Sequence, residues 1–72
     1  MKQADSIEDL CDEFVIYDIH KKKRLHFIDL KSLLAYCAEN GLGKTEIRGA
    51  VWTEKGLIFA AKMNGKGEME LL

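Results

Sequence analysis

The stretch Asp29–Leu42, DLKSLLAYCAENGL, constrains the fold more than any other part of the chain. Leu30, Leu33, Leu34 and Cys37 recur at i, i+3, i+4 and i+7, which places all four on one helical face. Asp29 is positioned to accept hydrogen bonds from first-turn amides, and Asn40-Gly41 supplies the left-handed residue that ends helices. Lys31, Ser32 and Glu39 fall off the apolar stripe and can face water. Such a stripe needs a second layer to bury it. The segments on both sides read as strands, so that layer is a small antiparallel sheet. The expected class is α+β, with the sheet packed on this central helix.

The remaining elements follow in order. Residues 6–14, SIEDLCDEF, predict a short first helix with Ile7, Leu10, Cys11 and Phe14 on its apolar side. Asp5 with Glu8, or Ser6 with Asp9, offers it a capping arrangement. Phe14–Ile19, FVIYDI, then turns β-branched and aromatic, and RLHFI resumes that pattern after HKKK. The pair reads as a hairpin with its tip at Lys21–Lys23, although no glycine or asparagine marks a tight turn there. After the helix, Gly41–Lys44 is a connector. Glu46–Thr53 and Leu57–Met63 read as strands joined through Glu54-Lys55-Gly56, and Asn64-Gly65 is a hairpin signal leading to an edge strand, Glu68–Leu72. The order is α-β-β-α-β-β-β in one domain over residues 1–72.

A second arrangement competes with this one. Thr45–Lys55 can be drawn as a helix after GLGK, since Ile47, Ala50 and Val51 have helical spacing, with LIFAAK-MNGKG-EMELL as a two-stranded wing. That order, together with the run EKGLI, resembles a winged helix-turn-helix over about two thirds of the chain. The resemblance implies DNA binding, with Lys44 and Arg48 at the start of a recognition helix. Against it, Gly49 weakens a helix interior by about 1 kcal/mol and Val51-Trp52-Thr53 favour a strand.

At 72 residues there is no room for a second core, and a chain of this size buries only about 60% of its unfolded surface. A partner chain would ease that marginal stability. With 47% hydrophobic and 32% charged residues the chain belongs with folded globular proteins rather than disordered ones. No apolar run is long enough to cross a bilayer, and no hydrophobic signal region follows Met1; the expectation is a cytoplasmic protein with no membrane partner. The net charge of −1 conceals a polarity. Residues 1–13 carry −4 and residues 18–24 carry +3. The whole lacks the overall basic field of a strong nucleic-acid binder, but a local patch remains.

Few residues suggest chemistry. Cys11, His20, His26 and Cys37 lack the close pairing of zinc ligands, so neither metal nor cofactor is expected. Both cysteines fall on apolar stripes, as small buried hydrophobes do, and a reducing compartment argues against joining them. His20 and His26 flank the basic tip and would face each other across a symmetric hairpin, with Asp18 to orient a base. No nucleophile sits at a recognisable elbow, and Ser6 and Ser32 lie at helix positions. Gly41-Leu42-Gly43-Lys44-Thr45 lacks the spacing of a phosphate-binding loop. No enzymatic activity and no small-molecule substrate are expected.

Two surfaces remain. Lys21-Lys22-Lys23-Arg24, extended by Lys44 and Arg48, can neutralise phosphates or grip an acidic surface. The sheet, in turn, is apolar on both faces. If Val51, Leu57 and Phe59 turn toward the central helix, alternation sends Trp52, Ile58 and Ile16 to the other side, where an exposed patch would mark an interface. The leading expectation is a small interaction module, a regulator or inhibitor of the kind bacteria and phages encode, binding another protein or a second copy of itself. Nucleic-acid binding through the basic tip is the alternative.

Overall fold

The computed structural model describes residues 7–72. It is an α+β domain with a five-stranded, wholly antiparallel sheet and two helices. The strands are β1 (Glu13–Asp18), β2 (Lys23–Phe27), β3 (Arg48–Thr53), β4 (Gly56–Met63) and β5 (Met69–Leu71), arranged β2-β1-β3-β4-β5. The helices are α1 (Ile7–Leu10) and α2 (Leu30–Asn40). β1 and β2 form a hairpin, α2 carries the chain back over it, and β3 enters on the other side of β1.

α2 forms where its local signals place it. Asp29 accepts from the Ser32 N–H at 2.7 Å, and Gly41 closes the helix at φ 68° with its N–H on the Cys37 carbonyl. Leu30, Leu33 and Cys37 then enter a core with Phe14 and Ile16 of β1, Ile47 before β3 and Met63 of β4. Phe14 and Ile16 alternate toward α2, and their β2 partners Phe27 and Leu25 close the same side.

The segment 44–55 forms no recognition helix. A single 3-10 turn, Lys44–Glu46, leads directly into β3, so the winged helix-turn-helix order is not adopted. The expected first helix is also shorter than its apolar spacing suggests. It ends at Leu10, which is exposed, because the following residues pair with β3: the Asp12 N–H donates to Ala50 O, and the Asp12 carboxylate accepts from the Trp52 N–H. Phe14 therefore belongs to the sheet. The capping residues Asp5 and Ser6 lie outside the described residues. The Asn64-Gly65 signal marks a real reversal but a wider one. Asn64 Oδ1 accepts from the N–H groups of Lys66 and Glu68, and Gly67 takes the positive φ of 83°. Cys11 and Cys37 are both free thiols.

Asp18 is the buried charged side chain among the described residues. It accepts from the Tyr36 hydroxyl of α2 and from the N–H groups of His20 and Lys21, so it pins the β1–β2 turn to the helix. The same turn reverses without glycine because Lys22 adopts φ 57° and donates its N–H to Asp18 O. The Tyr36 hydroxyl, helped by the two backbone donors, holds the Asp18 carboxyl below the usual carboxylate range. With the folded-state value depressed, the charged form favours folding; the contribution is complete above the ordinary range and fades as pH falls through the folded value. Asp18→Asn should thus lower the thermal midpoint at neutral pH, with the gap to wild type closing below about pH 4. A gap that stayed constant into acid would show that the charge of Asp18 is not what stabilises the turn.

Candidate interaction face

α2 covers one side of the sheet. The other side is built by strict pairing. His26, Val15, Arg48, Lys62 and Glu70 stand opposite one another across all five strands. Arg24 stands beside Tyr17 at one end, and Glu13, Ala50 and Phe59 form the next row toward the other. Trp52 and Leu57 follow. Neither helix lies over these residues. Tyr17, Phe59 and Trp52 are 52%, 41% and 60% exposed, so three aromatic side chains share a face that no described element covers.

The face is curved. A register shift between Gly49 and Ala50 puts a bulge where β3 meets β4, and bulges sharpen local twist. The curvature lets the Arg24 guanidinium of β2 lie over the Phe59 ring of β4, 5.3 Å from its centre. Val15 and Ala50 at the base are consequently buried although no helix lies above them. An open hollow of about 300 Å³ remains, walled by Tyr17, Arg24, Glu46, Arg48 and Phe59 over Val15. Arg48 is held in place, with Nη1 donating to the Thr45 and Ile47 carbonyls at 3.0 and 3.1 Å.

Glu13 organises the other end. Its carboxylate takes the Trp52 indole N–H at 3.0 Å on one oxygen and His26 Nδ1 at 3.0 Å on the other. Since Glu13 can only accept when ionised, His26 donates from Nδ1. Three adjacent strands are thereby tied through one carboxylate, and the Trp52 ring is fixed in orientation while staying open to solvent.

The residues singled out from sequence are distributed differently. Ile16 is 1% exposed and its side chain belongs to the core beneath α2 rather than to the exposed face. Trp52 and Ile58 lie on opposite faces, because Trp52 pairs with Leu57 and Ile58 with Val51. The basic tip is divided as well. Lys21 stacks over Tyr36 on the helix side, Lys22 occupies the turn, Lys23 stands opposite Asp18, and Arg24 alone joins the curved face. Arg48 is on that face too, whereas Lys44 belongs to the 3-10 turn and approaches Gly67. His20 and His26 do not oppose each other, since His26 pairs with Val15 and His20 sits in the turn. Sequence reasoning did not single out Tyr17, Glu13 or the placement of Phe59 with Arg24. The two-residue turn Glu54-Lys55 was the available signal: closing it pairs Trp52 with Leu57.

Among the described residues no cluster of His, Cys, Asp or Glu converges as a metal site, and no helix is long and apolar enough to cross a membrane. Comparison with protein-family models, with curated proteins and with solved structures finds no match.

Proposed function

We propose that this chain is a small non-enzymatic protein-binding module whose working surface is the curved face of the sheet. The observation that supports this reading is the gathering of Tyr17, Trp52 and Phe59, all substantially exposed, with Arg24 on one uncovered face. Trp, Tyr and Arg are the residue types that dominate binding energy at protein interfaces. Charge argues in the same direction. Arg24, Arg48 and Lys62 are matched by Glu13, Glu46 and Glu70, so the face lacks the surplus of positive charge that carries nucleic-acid affinity. Its concavity favours an extended or convex segment over a second copy of the chain, because two concave faces do not meet flush.

The test is to select binders from a displayed library of random peptides and measure them against the Tyr17→Ala/Trp52→Ala protein. A loss of at least about tenfold is expected, since truncating one interface anchor typically removes 1–2 kcal/mol or more. Affinity that survives the double substitution would overturn the reading.

A further inference from the structure

We infer that the partner of this face is an acidic protein segment, one of whose carboxylates seats in the hollow between Arg24 and Arg48. The inference rests on the protein-binding reading and adds the chemistry of the partner. Both arginines line the same hollow, and among the described residues neither has a carboxylate within ion-pair distance. Each is already fixed. The Arg24 guanidinium lies on the Phe59 ring, and Arg48 is tethered through Nη1 to two carbonyls. A guanidinium carries five N–H donors, so stacking leaves those of Arg24 available, and the Arg48 tether occupies only Nη1. Two restrained forks converging on one small hollow match the planar, two-oxygen geometry of a carboxylate, and little ordering remains to be done on binding.

The acidic groups of the face decide between a peptide and a nucleic acid. Glu46 forms part of the hollow's wall, and Glu13 and Glu70 lie farther along the face. A single carboxylate between the arginines meets a local excess of one positive charge. A continuous phosphodiester crossing the face would run against Glu46 and then against Glu13 or Glu70. The neighbouring Tyr17 and Phe59 rings supply apolar contact for the residues flanking the carboxylate.

The experiment uses the selected peptides in pairs, one with its native Asp and Glu residues and one with each replaced by Asn or Gln, followed through the fluorescence anisotropy of a dye attached to the peptide, a readout that does not depend on Trp52, the single tryptophan. The acidic member should bind wild type at least about tenfold more tightly, an advantage that shrinks as salt rises. Arg24→Gln should bind both members equally, and Arg24→Lys, which keeps the charge without the fork, should fall between. Equal binding of the pair by wild type, or displacement of the acidic peptide by an equal concentration of mixed-sequence single-stranded DNA, would overturn the acidic-segment proposal. If the pair binds equally yet Tyr17→Ala/Trp52→Ala still abolishes binding, only the acidic preference fails. If binding ignores both sets of substitutions, the working surface lies elsewhere and both proposals fail.

Discussion

Leu33→Ala is expected to destabilise the fold by about 3–4 kcal/mol, the middle of the range for a fully buried leucine truncated to alanine. Leu33 is 0% exposed and is the residue through which α2 reaches the buried faces of β1 and β4. Truncation removes apolar surface from the centre of the core that α2 forms with the sheet, and the surrounding strands cannot collapse into the gap without breaking their pairing. A domain of 72 residues has a total stability of only about 4–11 kcal/mol, so the variant should sit close to its unfolding threshold. Urea unfolding would register this as a large drop in midpoint at unchanged slope. A loss below about 1 kcal/mol would mean that α2 is not anchored on the sheet as described.

Gly49→Ala is expected to cost about 1–3 kcal/mol through overpacking. A Cβ at this position of β3 would collide with Cys11 Sγ and would lie 3.1 Å from Met69 Cε and 3.3 Å from Ala61 Cβ. The methionine terminus can swing aside. Ala61 can move only with its strand, and the Cys11 thiol is hemmed in between Gly49 and the Ile7 carbonyl, to which it donates at 3.4 Å. Burial and the flanking Asp12 and Glu8 push the Cys11 thiol above its ordinary range, so it packs as a neutral group. Cys11→Ala removes the sulfur and should return at least about 1 kcal/mol of the Gly49→Ala cost, a coupling expected only for residues in direct contact. Simple additivity of the two substitutions would show that Cys11 and Gly49 do not touch.

What was legible in the sequence divides along the range of the interactions involved. α2 carries its own instructions: a stripe of Leu30, Leu33 and Cys37, an Asp29 cap and a Gly41 stop, all within one stretch of chain. The strands and their order were readable from β-branched and aromatic runs between turn residues. The end of α1 was not, because Ile7, Leu10, Cys11 and Phe14 fit a helical stripe equally well, and what stops the helix is Asp12 bonding to Ala50 and Trp52 far along the chain. The exposed face was only half readable. Turn length and alternation determine that Trp52, Leu57 and Phe59 share a side, but the bulge at Gly49/Ala50 shifts the far end of β4 so that Lys62 rather than Ala61 joins them, and nothing in the local pattern announces it. The division of the basic run follows from the same kind of cause. Lys21 and Arg24 find different aromatic rings, Tyr36 and Phe59, which only the assembled fold brings near.

Glu13 illustrates how a residue with no motif around it comes to matter. By bridging Trp52 and His26 it holds the indole edge while leaving the ring surface open, so an exposed tryptophan is also an oriented one. Preorganisation of that kind lowers the cost of binding.

The most direct test of the account compares two variants, each first shown to keep the wild-type thermal midpoint, for affinity to the selected peptides. One is Tyr17→Ala/Trp52→Ala on the curved face; the other is Ala35→Glu on the solvent side of α2. At least about a tenfold loss is expected for the first and no change for the second. Loss of binding by Ala35→Glu with full affinity retained by the double variant would contradict it and move the working surface to the helix.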